Sequence, residues 1–165
     1  MEERRRGQSA IEFALLYGAV IVPLTFGIIF VAEMFWVWHS MVEFTRDGAR
    51  YASTHCSSDG QNVVQYMQAH VPPTVDRAQF QTGGAALIGV SYFQRDDAGQ
   101  LAPVSCAVCG QDCVPDTVTV NVTNYQFQHF VNFLNLPPIT MPAFPTSMPI
   151  ESNGCDPENA GSCTP

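Results

Sequence analysis

The chain of 165 residues contains no lysine, and only 13% of its residues are charged. Its seven basic residues are all arginine, and three of them are Arg4, Arg5 and Arg6. The remainder is acidic, so the formal net charge is −8. A protein that binds nucleic acid needs a basic surface to meet the phosphates. We therefore expect no nucleic acid among its partners.

A long internal segment of apolar residues also contains no charge. No residue from Phe13 to Ala32 is ionised near neutral pH, and a helix of this length crosses the roughly 30 Å hydrocarbon core of a bilayer. The arginines at positions 4 to 6 precede the run and favour a cytoplasmic N-terminus. The sequence therefore predicts a membrane anchor with the C-terminal bulk of the chain outside the cytoplasm.

A cleaved secretory signal peptide is the alternative interpretation of the same run. Such a peptide has an apolar region of about 7 to 15 residues, followed by a cleavage site of the Ala-x-Ala type. This run is longer, and no Ala-x-Ala site follows it. Trp36 and Trp38 come just after it, where aromatic side chains lie at a membrane–water interface. These features favour a retained anchor.

Helical periodicity continues beyond the apolar run. Apolar and small residues recur at steps of three and four as far as Ala52, before Ser57-Ser58-Asp59-Gly60 ends the pattern. We predict one helix from Gln8 to about Thr54, whose outer third is an amphipathic stalk. Pro23 removes the hydrogen bond to the carbonyl of Ala19, so we expect a kink or local melting there.

The chain beyond the stalk predicts a small mixed domain. Residues 61–70 fit a short helix that ends before two prolines. Residues 86–93 and 117–123 fit strands, the second with strict alternation of polar and apolar residues, and residues 143–150 fit an edge strand. The predicted fold class is α+β: a long N-terminal membrane-spanning helix with an amphipathic stalk, followed by a small antiparallel-sheet domain with disulfides.

Gly7 and Glu12 lie five residues apart, between the arginines and the apolar run. A carboxylate at the edge of an apolar run is costly in lipid unless a cation meets it. Cleavage after Gly7 would create a free amine on Gln8, and that cation can neutralise the Glu12 carboxylate of a neighbouring subunit in an apolar bundle. The simpler interpretation is an anchor with a glutamate at the level of the headgroups.

Small residues recur every four positions at Ala10, Ala14 and Gly18. A ridge of this kind allows another helix to approach closely within a membrane. Ordinary lipid-facing composition explains the same pattern, so the ridge is a candidate packing surface and both interpretations stay open.

The six cysteines all lie in the outer portion of the chain, and an even number fits an oxidising compartment in which disulfides persist. Their fifteen possible pairings leave the connectivity open. The spacing Cys-x2-Cys-x3-Cys also fits three zinc ligands with Asp112 nearby, but no second pair completes a tetrahedral set. A thiol oxidoreductase would need a βαβ setting that is missing here. We therefore expect no metal and no cofactor. The disulfide candidates are Cys56, Cys106, Cys109, Cys113, Cys155 and Cys163.

Three segments together resemble the TadE-like family of the Tad (Flp) pilus machinery, a branch of the type IV prepilins. They are Arg-Arg-Gly-Gln-Ser-Ala-Ile-Glu-Phe-Ala-Leu at 5–15, Phe-Gly-Ile-Ile at 26–29 with Glu33 after it, and Arg-Asp-Gly-Ala-Arg-Tyr-Ala at 46–52. The resemblance covers about the first third of the chain. Pro23 departs from the family pattern, in which a proline usually follows the Glu-Phe-Ala-Leu segment sooner.

The resemblance implies a substrate of a prepilin peptidase, cut between Gly7 and Gln8, that works as a pseudopilin or minor pilin. It implies that Glu12, followed by Phe13, acts in assembly, where the glutamate meets a neighbour's new N-terminus. The implied partners are the membrane, the prepilin peptidase and other pilin or pseudopilin subunits. The implied location is the bacterial cytoplasmic (inner) membrane, as a single-pass protein that is incorporated into a surface pilus or supports its assembly.

The predicted organisation is a prepilin-type leader at 1–7, a transmembrane helix and stalk at 8–57, and an exported α+β domain at 58–165. The four histidines are scattered, and no paired carboxylates or Ser-His-Asp set can be assigned from spacing. We therefore expect a structural component of a pilus and not an enzyme. The alternative is an unprocessed, single-pass, membrane-tethered binding module.

Overall fold

A computed structural model of the chain describes residues 2–55, 60–105, 115–128 and 137–151. The chain forms two compact units, Met1–Val37 and Trp38–Pro165. The first unit contains the N-terminal part of a long helix, and the second contains the outer part of that helix together with the sheet. The leader and domain boundaries that we placed at residues 7 and 57 stay predictions.

The long helix has three segments: α1 (Glu2–Leu16), a π-helical turn (Tyr17–Ile21) and α2 (Val22–Thr54). The predicted end near Thr54 is confirmed, but the helix begins at Glu2 and not at Gln8.

The disturbance predicted at Pro23 takes the form of the π-helical turn. Pro23 has no N–H group for the carbonyl of Ala19, and the turn ends two residues before it, at Ile21. The backbone N–H of Val22 donates to the carbonyl of Tyr17, five residues earlier, instead of to a carbonyl four residues earlier. The helix is therefore widened at this point and does not melt.

A short helix, α3 (Gln61–Ala69), confirms the helix predicted at 61–70. It follows Gly60, whose φ of 67° is left-handed and therefore suits glycine. A 3-10 helix at Arg77–Phe80 was not predicted. The carboxylate of Asp76 caps it by accepting a hydrogen bond from the N–H of Ala78.

The main sheet is antiparallel and has the strand order β2-β1-β3-β6. Its strands are β1 (Leu87–Arg95), β2 (Leu101–Val104), β3 (Thr117–Thr123) and β6 (Phe144–Pro149), and a small second sheet pairs β4 (Gln126–Phe127) with β5 (Ile139–Thr140). The strands predicted at 86–93 and 117–123 and the edge strand predicted at 143–150 are confirmed. The three shorter strands were not predicted.

Both edge strands of the main sheet contain proline. Pro103 lies in β2, and Pro145 and Pro149 lie in β6. Proline cannot donate to a strand ladder, and it is tolerated at the edges of sheets. These prolines therefore oppose the addition of a further strand from another chain.

One face of the main sheet packs against α2. The apolar residues of β3 that alternate with polar ones are fully buried, and the hydroxyl groups of Thr45 in α2 and Thr146 in β6 lie 2.9 Å apart. The core also contains α2 side chains that recur at helical spacing, namely Met41, Phe44, Ala49 and Ala52. The predicted α+β class is thus confirmed, whereas all six cysteines lie outside the described residues.

Candidate assembly surface on the N-terminal helix

The proposed processing site lies in a helical part of the backbone. Gly7 and Gln8 both fall within α1, which extends from Glu2 to Leu16. A peptidase that needs an extended backbone must therefore first unwind the beginning of this helix. Both residues stay candidates for processing on the strength of the sequence.

The side chains of Glu12 and Phe13 are exposed in the single chain. Phe13 is 64% exposed and stacks on Tyr17, with ring centroids 6.3 Å apart. Among the described side chains, Glu12 has no ion-pair partner within 4.0 Å. A carboxylate next to so much apolar surface is costly in lipid unless a cation meets it or it reaches the headgroups.

The small residues predicted as a ridge are also exposed. Ala10 and Ala14 lie one turn apart in α1, and Gly18 lies in the π-helical turn. A methyl group built on Gly18 would meet nothing within 4 Å. The space beside these residues is therefore open to a second helix.

Large apolar side chains are exposed at most positions of the helix from Ile11 to Trp38. Within the part of the chain that the structure describes, this is the one helix that is long and apolar enough to cross a membrane. Its extent of Ser9–Thr54 supports a single-pass membrane protein. The most exposed apolar residues between Ser9 and Leu24 are Ile11, Phe13, Leu15, Leu16 and Leu24.

The segment at 46–52 divides into a buried and an exposed face. Gly48, Ala49 and Ala52 are buried, whereas Arg46 and Arg50 are exposed. A methyl group built on Gly48 would overlap the Met67 sulfur in α3. This close approach explains the glycine at position 48. The contact with Met67 was not predicted from the sequence.

Aromatic rings also join α2 to α3 close to the contact between Gly48 and Met67. Tyr51 and Tyr66 stack with centroids 4.0 Å apart and an angle of 8° between their planes. His55 stacks on Tyr51 at 3.8 Å, and His70 stacks on Tyr66 at 4.3 Å. The Nδ1 atom of each histidine lies within hydrogen-bonding distance of the carbonyl four residues earlier, at 2.9 Å and 2.8 Å. These two histidines therefore support the joint between the helices.

Metal ligands and open grooves are the other features that can mark a functional site. No three side chains of His, Cys, Asp or Glu are grouped around a possible metal position within these residues. The cysteines of the zinc alternative, Cys106, Cys109 and Cys113, lie outside them. An open groove of about 530 Å³ runs past Gln68, Arg77 and Phe80, with a single charged side chain on its wall.

Comparison with known proteins identifies a family that the N-terminal part of the chain resembles. Residues 7–50 match the sequence model of a family described as TadE-like protein. The matched segment begins at the glycine of the candidate processing site and ends within the glycine–alanine segment that packs on α3. No curated protein and no solved structure gives a significant match. The resemblance to the TadE-like family is therefore confirmed for this segment, and it indicates a component associated with a Tad pilus.

Proposed function

From the match of residues 7–50 to the TadE-like family, we propose that this protein is a structural subunit of a Tad-type, type IV-like pilus, either a pseudopilin or a minor pilin. A single helix holds it in the bacterial cytoplasmic membrane, with the sheet domain outside the cytoplasm. The observation that carries the proposal is the extent of the match, which includes the Gly7 site, Glu12 and the whole apolar run. No catalytic role is part of this proposal.

Processing by a prepilin peptidase is the first step of the proposed function. Water hydrolyses the peptide bond between Gly7 and Gln8, which leaves a carboxylate on Gly7 and a free amine on Gln8. Cleavage removes Arg4, Arg5 and Arg6 from the chain, and with them the charges that hold the N-terminus on the cytoplasmic side. The mature subunit is therefore free to move outward from the bilayer.

Pairing between subunits is the second step. The new amine on Gln8 of one subunit meets the Glu12 carboxylate of the next inside a bundle of apolar helices. Burial of two charges is costly in an apolar medium unless they are paired in good geometry, so a subunit in the wrong position leaves both charges unpaired. The exposed small residues Ala10, Ala14 and Gly18 allow the close helix approach that this pairing requires.

The test is mass spectrometry of the intact protein from membranes, with and without the cognate prepilin peptidase. We expect a species that begins at Gln8 only when the peptidase is present. Gly7→Val should abolish this species, because a branched side chain then stands next to the scissile bond. Gly18→Val is the matched control: this glycine lies in the same helix and is fully open, so the variant should be cleaved normally.

One result separates this proposal from the membrane-tethered binding module. A chain that keeps residues 1–7 in the presence of active peptidase, with no species starting at Gln8, would contradict the pilin-like function and favour the unprocessed module.

A further inference from the structure

A groove lies between the C-terminal end of α3 and the 3-10 helix. Its volume of about 530 Å³ falls within the range of about 300 to 1,000 Å³ that is usual for small-molecule sites. It is an open groove and not a closed cavity, so it can admit one unit of a longer chain. The described residues of its wall are Gln68, Ala69, Arg77, Phe80, Gln81 and Thr82.

Arg77 is the one charged residue among these described wall residues. Its side chain is exposed, and within the described part of the chain no carboxylate lies within 4.0 Å of it. The carboxylate of Asp76 is engaged elsewhere, because it accepts hydrogen bonds from the N–H of Ala78 at 3.0 Å and from Nε2 of Gln79 at 3.3 Å. No other Asp, Glu, Lys or Arg occurs between positions 60 and 94. The guanidinium is therefore available to an anion from another molecule.

Hydrogen bonds fix the wall of the groove before any ligand binds. Nε2 of Gln68 donates to the carbonyl of Phe80 at 2.9 Å, which joins α3 to the 3-10 helix. The next turn closes with the N–H of Gly84 donating to the carbonyl of Gln81 at 2.8 Å. A methyl group built on Gly84 would overlap the carbonyl oxygen of Gln79, so this turn lies directly against the 3-10 helix. Groups that are already held in place lose little conformational entropy on binding.

The 3-10 helix is anchored in the core of the domain. Phe80 is buried, and its ring contacts those of Phe44 and Tyr125, with centroids 5.4 Å and 5.9 Å apart. Gln79 is also buried, and its amide exchanges two hydrogen bonds with the backbone of Gln126, at 2.7 Å and 2.8 Å. Arg77 therefore lies on a well-supported element, and the buried Phe80 offers little apolar surface to a ligand.

The chemistry of the wall indicates the class of ligand. One guanidinium matches one carboxylate, since its planar fork can donate two parallel hydrogen bonds to the two carboxylate oxygens. A phosphate monoester carries a charge of about −1.5 to −2 near pH 7, which is more than one guanidinium balances in a protein whose net charge is −8. The amides of Gln68 and Gln81 and the hydroxyl of Thr82 can donate and accept hydrogen bonds, as ligand hydroxyl groups do. The groove therefore suits a ligand with a single carboxylate and several hydroxyl groups.

We propose that this groove binds a uronate unit of an acidic polysaccharide, with the carboxylate on Arg77 and the sugar hydroxyl groups on the glutamine amides. A uronate carries one carboxylate on each sugar ring, so each ring presents a single charge to the single guanidinium. The open form of the groove leaves room for the neighbouring sugars of the polysaccharide to continue on either side. This binding function goes beyond the pilus role and does not depend on it.

The experiment uses the full chain in detergent micelles and measures Kd by titration in saturation-transfer difference NMR. The probes are the trimers of galacturonate, glucuronate and mannuronate, each compared with its carboxyl-reduced, neutral trimer. Arg77→Gln removes the guanidinium and keeps an amide. Arg95→Gln is the matched control, because Arg95 is also exposed, the change in net charge is the same, and Arg95 ends β1 about 26 Å from Leu87. The start of β1 is the end next to the groove, since the N–H of Ala86 donates to the carbonyl of Gln79 at 3.0 Å.

We expect at least one acidic trimer to bind, and Arg77→Gln to weaken its binding by about ten-fold or more, since a hydrogen-bonded charge pair is lost. Arg95→Gln should change Kd by less than about two-fold, because the exchange of one remote surface charge is largely screened. Arg77→Lys should recover part of the affinity, since an ammonium keeps the charge but lacks the planar fork. The exposed position of Arg77 predicts an unchanged urea midpoint for both variants of this residue.

Four results would overturn the proposal. The first is the absence of binding by all three acidic trimers, and the second is equal binding of the acidic and neutral trimers. The third is an equal loss in Arg77→Gln and Arg95→Gln, which would show general attraction to positive charge. The fourth is binding of tri-glutamate as tight as that of the uronates and equally dependent on Arg77, which would assign the groove to an acidic peptide. None of these measurements involves the peptidase or a pilus, so each result leaves the proposed pilus function standing.

Discussion

At the scale of single residues, Glu12 is the carboxylate that lies at the edge of the apolar run. It is exposed, the described part of the chain offers it no ion-pair partner, and the next twenty residues carry no charge. The energy of a carboxylate in such a place depends on what another molecule brings to it. Its role can therefore be tested without altering the folded domain.

Glu12→Ala should leave membrane insertion and cleavage after Gly7 largely intact but reduce incorporation into the pilus by an order of magnitude or more. The reason is that the new amine of the neighbouring subunit loses its counter-charge in an apolar bundle. Fractionation of cells and immunoblotting of sheared pili measure both quantities. Glu33→Ala, in the same helix, is the control and should assemble. Normal assembly of Glu12→Ala would show that the charge-pair argument is wrong.

Removal of the hydroxyl group should change the unfolding free energy differently at two buried tyrosines. The Tyr92 hydroxyl has no hydrogen-bond partner among the described residues, whereas the Tyr125 hydroxyl accepts a hydrogen bond from the N–H of Asp76 at 3.0 Å. At pH 7, Tyr125→Phe should cost about 1 kcal/mol of unfolding free energy, and Tyr92→Phe should be neutral or stabilising. Urea unfolding in detergent measures both, and equal losses would contradict the assignment.

Tyr92 also predicts a loss of stability at high pH. Burial raises the pKa of Tyr92 from 10.0 to about 12. Below pH 10 the phenol is protonated in both states and stability is complete. Between pH 10 and 12 the unfolded chain releases this proton while the folded chain keeps it, so the unfolding free energy falls by up to about 1.4 kcal/mol per pH unit. Between pH 10 and 11, the Tyr92→Phe variant should lose less unfolding free energy than the natural chain. Identical losses would show that Tyr92 is not the cause of the pH dependence.

At the scale of elements, the joint between α2 and α3 is the feature that sets how the domain attaches to the helix. Gly48 brings α2 against Met67, and the stacked rings of Tyr51 and Tyr66 continue the contact one turn later. Met67 is fully buried and Val63, one turn earlier in α3, is buried with it. A side chain at position 48 therefore has to displace core atoms.

Gly48→Leu should destabilise the domain by about 1 to 3 kcal/mol through overpacking. Gly27→Leu is the control, because nothing lies within 4 Å of the position of its added Cβ, and it should leave domain unfolding unchanged. Met67→Ala combined with Gly48→Leu should recover part of the loss, since it removes the atoms that clash. Urea midpoints of the three variants decide the matter, and the prediction fails if Gly48→Leu and Gly27→Leu behave alike.

At the scale of the whole molecule, the redox state of the six cysteines reports the compartment of the domain. If the domain is exported, iodoacetamide under denaturing, non-reducing conditions should add no label, and reduction beforehand should allow six. Mass spectrometry of the intact protein counts the labels. Six labels without reduction, or protection that a chelator removes, would contradict disulfides and favour reduced thiols or a metal.

The sequence predicted those elements whose pattern is repeated or long. The alternation in β3 and the helical spacing from Val37 to Ala52 both come from burial of one face. Burial of one face requires an apolar residue at every second position of a strand and at every third or fourth position of a helix. β2, β4 and β5 have two to four residues, too few to show a period. Their positions depend on the strands they pair with, which local sequence does not encode.

The sequence indicates which residues form the candidate site, but it does not indicate the contacts between helices that hold the outer part of the helix in place. The leader, Gly7 and Glu12 are recognisable because charge placed next to a long apolar run is rare and costly. The contact between Gly48 and Met67 joins residues nineteen positions apart through the geometry of two helices.

The π-helical turn at Tyr17–Ile21 offsets the two halves of the apolar helix. Such a turn holds one residue more than an α-helical turn, and one residue corresponds to about 100° of rotation. The face of the helix that carries Ala10 and Ala14 is therefore rotated away from the face that would continue it beyond Pro23. In the proposed assembly, each half of the helix therefore presents its own face, and one subunit can contact two neighbours through two different surfaces. Contacts between unlike surfaces do not close on themselves as a symmetric pair does, and their repetition produces an open helical filament where the rotation between subunits does not close into a ring.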